Sequence, residues 1–196
     1  MAFVGIRVPH ETGRLLASLD VPGDKVSTDA FHITMLCFEG DNLPIEEISK
    51  AIVASYLVTS EWGPFTVSTK KVTCFPKNNE TGLYPVIAKV ESPELMELQA
   101  KLREALDKAG VSYSKKFPEY KPHVTLAYSE EKVKDFRIPE VEWAAHEATL
   151  WGGDHGDERL SVSLPFTLRP LKAASICRTS PTLNRTMVRT AMKMTR

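Results

Sequence analysis

Two short stretches of the chain, His32-Ile33-Thr34-Met35 and His123-Val124-Thr125-Leu126, carry side chains able to share acid–base work. Each reads histidine, β-branched aliphatic, threonine, then thioether or aliphatic, inside a run with the composition of a β-strand. Strand side chains alternate faces, so the His and Thr of each stretch share one face about 7 Å apart while the aliphatic residues enter the other. Five His and 16 Thr among 196 residues would by chance give roughly 0.4 His-x-Thr triplets. Two, both in apolar strands, exceed that expectation. The competing reading is a pair of histidines merely satisfied beneath a sheet.

Two imidazoles on facing strands suit in-line displacement at phosphorus. One takes a proton from the attacking hydroxyl while the other gives one to the leaving oxygen on the opposite side, and a single His cannot serve both. With an unperturbed pKa near ~6.5, imidazole holds both forms near neutrality, so the pair needs no metal. The threonine hydroxyls can donate to non-bridging phosphate oxygens as charge accumulates. Sequence leaves open which His is the acid.

The elements that must position these groups are legible from periodicity. Residues 44–57 form a helix with Pro44 in its first turn and Ile45, Ile48, Ile52 and Tyr56 on one apolar stripe. Residues 92–110 form another, capped by Ser92, started by Pro93, buried along Leu95, Leu98, Leu102, Leu106 and Ala109, and stopped by Gly110. A shorter helix spans about Glu11 to Leu19. Strands are expected at 2–8, 31–38, 65–75, 83–90, 123–128, 143–151 and 160–168. Strand, helix and His-x-Thr strand occur twice, which makes a half-repeat.

Composition bounds the rest. With 42% hydrophobic and 26% charged residues, the chain has material for a real core, and it lacks an apolar run of the ~20 residues that span a bilayer. The first residues are too short in apolar character for a secretory signal. Cys37, Cys74 and Cys177 are odd in number and lack CxxC spacing, so reduced thiols and a cytoplasmic location are expected. No His has a Cys or another His within four residues, which argues against zinc, and no cofactor is called for.

Net charge is zero, yet residues 173–196 hold Arg178, Arg185, Arg189, Lys193 and Arg196 with no acid, leaving 20 basic and 25 acidic residues in 1–172. A body of that sign lacks the broad positive field that long nucleic acids require, so a small nucleotide or short oligonucleotide fits better. The chain therefore divides into a body, 1–172, and a basic extension, 173–196. In the extension Leu183, Met187 and Met192 offer a weak stripe for a protein partner, against the simpler reading of a loose end.

At FHITMLCFEG and KPHVTLAYS the chain resembles the 2H phosphoesterase superfamily, which includes bacterial 2'-5' RNA ligase-like proteins and cyclic phosphodiesterases. The resemblance extends over about residues 1–170. It implies an α+β fold of two pseudo-symmetric lobes, with antiparallel sheets around a central cleft and helices outside. By resemblance His32, Thr34, His123 and Thr125 are the catalytic residues. Departures exist: Gly40 comes one residue later than usual, and Tyr128 stands where Arg is frequent. Small viral members that cleave cyclic nucleotide messengers of antiviral immunity are a second branch to which the chain is similar.

Other features are weighed as secondary. Lys121 could counter substrate phosphate and Tyr120 stack on a base, with Lys115 and Lys116 weaker candidates. Tyr128, five residues after His123, is expected to face away from it in a regular strand. Residues 151–158 read as a hairpin rather than a calcium loop, and His10, His146 and His155 as structural or surface residues. The expectation is a metal-independent phosphodiesterase acting on a cyclic phosphate or a short 2'-5'- or 3'-5'-linked nucleotide. The alternative is a non-catalytic nucleotide- or RNA-binding or virion-associated protein on the same fold. ATP-dependent ligation is disfavoured by the absence of a GxxxxGK[ST] loop.

Overall fold

The structure is a computed structural model that describes residues 1–40, 43–155 and 158–167. The basic extension and Cys177 lie outside the described residues. Nine strands are described: β1 Phe3–Arg7, β2 Asp24–Lys25, β3 His32–Cys37, β4 Phe65–Cys74, β5 Tyr84–Glu91, β6 His123–Ser129, β7 Phe136–Ala145, β8 Glu147–His155 and β9 Glu158–Pro165. The helices are α1 His10–Ala17, α2 Ile45–Ser60 and α3 Pro93–Ala109, with a 3-10 turn at Thr28–Ala30. Among the described residues no helix is long and apolar enough to cross a membrane.

All strand pairings are antiparallel, in the order β7-β4-β5-β6-β3-β1-β8-β9, with β2 added to the end of β6. The half-repeat is visible in this order. β5-α3-β6 builds one half and β1-α1-β3 the other, and the two His-x-Thr strands meet in the middle. The halves join through one register pair, Ile33 opposite Val124, so the sheets of the two lobes run on as one. The helices cover one side: α2 packs on α3, β8 and β9, α3 on β3, and α1 on β7.

Burial explains the helices. In α3 the row Leu95, Leu98, Leu102 and Leu106 is fully buried, Ser92 Oγ accepts from the Leu95 N–H at 3.3 Å, and Gly110 closes the helix at φ 67°. In α2 the buried face is Ile48, Ala51, Ala54, Ser55 and Thr59, while Ile45 and Tyr56 are exposed. Of the expected stripe, Ile48 is buried and Ile52 packs against the core, while its two ends, Ile45 and Tyr56, face outward. Because α2 meets both α3 and β8-β9, small side chains take the contact face and let the elements approach closely.

One strand departs more strongly from expectation. The single run 143–151 is two strands, β7 and β8, that turn at His146, and β7 begins as early as Phe136. Pro139 and the surrounding charges masked it. β7 is the edge strand of its half, where a proline removes no ladder hydrogen bond. The hairpin expected at 151–158 is present as β8 paired with β9.

Candidate active site

The pairing of Ile33 with Val124 sets the geometry. In this antiparallel register His32 stands opposite Thr125 and Thr34 opposite His123, all on the face away from the buried Ile33 and Val124. The histidines are thus diagonal neighbours on one face, a relation that places such residues about 7–8 Å apart. Both rings, like both threonines, are half-buried. The two groups are close enough for His32 to act electrostatically on His123.

Each imidazole is held in the same way. His32 Nδ1 bonds the Ala30 carbonyl at 2.7 Å, and His123 Nδ1 bonds the Lys121 carbonyl at 2.7 Å. A carbonyl only accepts, so Nδ1 carries the hydrogen in both rings and Nε2 is left to exchange protons with a substrate. The Thr28–Ala30 turn supplies the first carbonyl, and the approach to β6 supplies the second. Burial is the main cause that lowers both pKa values. The carbonyl bonds raise them in part, while the Arg7 charge lowers that of His32 further and the His32 charge that of His123.

Aromatic rings wall each histidine. Phe75 meets His123 edge-on at 4.6 Å, and Phe3 lies 4.7 Å from His32. Trp151 stacks on Phe3 at 4.4 Å and carries the Arg7 guanidinium 4.7 Å from its ring centre. Gly5 makes room for this stack, because a Cβ there would sit 2.6 Å from the Ile33 carbonyl oxygen and 3.3 Å from the indole.

Cations that sequence reasoning missed flank the pair. Arg7 is the β1 residue paired with His32, and Lys89 is the β5 residue paired with His123. Both are exposed. Their signal lies in strand pairing, which a linear reading of motifs does not contain.

A β-bulge follows each motif. β1 pairs Gly5 with Thr34 and then Val4 with Leu36, leaving Met35 as the extra residue; β5 pairs Ile87 with Thr125 and then Val86 with Ala127, leaving Leu126. This corrects the expectation for Tyr128. The bulge shifts the alternation by one, so Tyr128 shares the face of His123 and is 40% exposed. Cys37 occupies the equivalent position in the other half.

The remaining candidates separate. The Lys121 backbone orients His123, while its side chain pairs with Glu119 at 3.0 Å. Tyr120 packs against the core with its hydroxyl buried and unpartnered, and burial raises its pKa. Lys115 pairs with Asp107 at 3.8 Å, and Lys116 is exposed. His10 and His146 are exposed; the side chain of His155 lies outside the described residues. Among the described residues no group of three or more His, Cys, Asp or Glu is placed to hold a metal ion. A separate concavity of about 700 Å³ between α2 and α3, lined by Val53, Leu57 and Ala105 among others, holds no His.

Fold and site together define an α+β protein with a duplicated His-x-Thr pair across the middle of its sheet. The chain belongs to the 2'-5' RNA ligase superfamily, whose family model matches residues 22–157. TT0787 of Thermus thermophilus is similar in structure, with a TM-score of 0.65 at 18% identity over 85% of this chain and 98% of that one. E. coli LigT complexed with ATP gives 0.57 at 20% identity, over 83% and 93% of the two chains. LigT complexed with 3'-AMP gives 0.54 at 20% identity over the same shares. These likenesses are of fold. No match was found among curated proteins.

Proposed function

We propose that the protein is a metal-independent phosphodiesterase that hydrolyses a cyclic phosphate or a short 2'-5'- or 3'-5'-linked nucleotide by two-histidine acid–base catalysis. The observation that carries this reading is the matched pair of imidazoles. His32 and His123 sit diagonally on one face, each with Nδ1 on a carbonyl and Nε2 available. One neutral Nε2 accepts a proton from the attacking water as its oxygen bonds to phosphorus, and the other, protonated, donates to the oxygen that leaves as its own bond to phosphorus breaks. Proton count is unchanged over a turnover once the two rings exchange back through solvent.

Thr34 and Thr125 stand beside the opposite histidine in register, so each hydroxyl can donate to a non-bridging oxygen of the phosphate held between the rings. Superfamily membership and the similar structures, one a phosphoesterase and others LigT complexed with ATP, NADP+, phosphate or 3'-AMP, support a small nucleotide ligand. A cyclic nucleotide messenger is one member of this substrate class.

The test is a screen of 2',3'-cyclic nucleotides, 2'-5' oligoadenylates and cyclic dinucleotides, with and without EDTA. His32→Ala and His123→Ala should each lower turnover by about 10² to 10⁴ with the fold retained. Full activity in either variant overturns the pairing, and loss on chelation overturns the metal-independent mechanism.

A further inference from the structure

Resting on that reading, we propose a distal phosphate site in the His123 half: a cationic row, Lys89 and Arg137 with Lys71 between them, that takes phosphates beyond the scissile one. The register builds the row. His123 pairs with Lys89, Lys89 with Lys71, and Lys71 with Arg137, across β6, β5, β4 and β7 in turn. Directly paired residues share a face, so all three cations lie on the face of the catalytic imidazole. Strands about 4.8 Å apart put Lys89 one step and Arg137 three steps, about 14 Å, from β6.

Charge pairing distinguishes the members. Asp135 holds Lys71 at 2.6 Å, and Glu91 holds the bulged Lys70 at 2.9 Å. Lys89 and Arg137 are exposed and enter no ion pair among the described residues. They are the charges free to meet a ligand.

A row of surface cations is commonly just solvated, and two comparisons set this one apart. In the other half His32 pairs with Arg7 at the end of β1, and the pairing of β1 with β8 stops earlier, at Gly5 and Thr149, so no further cation continues that row. The next row in the His123 half is Glu91, Ser68 and Glu142, with Glu91 paired to Lys70. Two residues along the strand the unpaired cations have therefore given way to carboxylates. A strip this narrow suits a single phosphodiester chain, and the net acidity of residues 1–172 disfavours a duplex. The site also gives the substrate a direction, with its additional phosphates on the His123 side.

The experiment measures binding of a labelled trinucleotide against salt, together with kcat/KM for a 2',3'-cyclic mononucleotide and for a trinucleotide ending in a 2',3'-cyclic phosphate. The expected result for the unmodified protein is a preference of about tenfold or more for the longer substrate. Arg137→Gln should reduce that preference three- to tenfold. Arg137→Gln and Lys89→Gln should each make the slope of log K against log salt shallower by about 0.7, the amount expected for one lost phosphate contact on a single strand. Lys50→Gln on α2, far from the row, controls for net charge and should leave the slope alone. An unchanged slope in both row variants, or equal use of the two substrates by the unmodified protein, overturns the distal site. If neither substrate turns over while the slope still falls, the row stands as a binding surface and the catalytic reading fails instead.

Discussion

A carbonyl two residues upstream of each histidine fixes the ring's tautomer and leaves Nε2 as the nitrogen open to exchange a proton, so F-H-I-T and P-H-V-T each carry an oriented ring. The threonines are the next most informative residues. The register of Ile33 with Val124 sets Thr34 opposite His123 and Thr125 opposite His32, so each hydroxyl stands beside the other half's imidazole. Thr34→Val and Thr125→Val, which keep shape and remove the donor, should each lower kcat about 10- to 100-fold at nearly constant KM, with Ser restoring most of the loss. A raised KM with kcat unchanged would argue for ground-state binding instead. These four residues were legible because identical short motifs recur in similar strands. Arg7 and Lys89 were not, since only the strand order brings them beside the histidines. Tyr128 was misplaced because one extra residue, Leu126, reverses the face of everything after it.

Among the elements, legibility followed how strongly local pattern and tertiary contact agree. α3 has a cap, a first-turn proline, four leucines in phase and a terminal glycine, and each feature is used as expected. Its core row is a direct test: Leu102→Ala should cost about 2–5 kcal/mol of unfolding free energy by urea titration, with m unchanged. A loss well under 1 kcal/mol would mean that α3 is not the wall of the core. α2 misled because two partners share its buried face. β2 was hidden for a different reason, being two residues long inside a turn-rich segment. Gly23, at φ 98° and with its Cβ position 2.2 Å from the Tyr128 carbonyl oxygen, lets β2 lie against β6. Gly23→Ala should unseat β2, lower stability and raise amide exchange at Val26, whose N–H bonds the Leu126 carbonyl. Unaltered exchange there would show that the glycine is dispensable.

At the scale of the molecule, two half-buried imidazoles tie the proposed catalysis and the stability to the same pH range. Both histidines are depressed below the ordinary value of 6.5, chiefly by burial. A reaction needing one neutral and one protonated ring peaks between their two apparent pKa values, so the bell of kcat/KM for the free enzyme should centre below the ordinary 6.5 and fall from pH 6.5 to 8. Stability runs the other way. Well above pH 6.5 both rings are neutral whether the chain is folded or unfolded, so there they add no pH dependence. As pH falls from 6.5 toward the lowered native values, the unfolded chain binds protons that the folded one refuses, and stability is lost over that window. Urea midpoints at pH 7.5 and 5.5 should therefore differ more for the unmodified protein than for the His32→Gln/His123→Gln variant. The carboxylates with lowered pKa, Glu91, Glu104 and Asp135, titrate further into acid and contribute little between these two pH values. Equal differences in the two proteins would mean that neither imidazole is held neutral by its surroundings. An activity maximum above pH 7 in unmodified protein would require the bound phosphate to restore the proton that burial removes, a shift that comparing kcat with kcat/KM across pH separates from the properties of the free site.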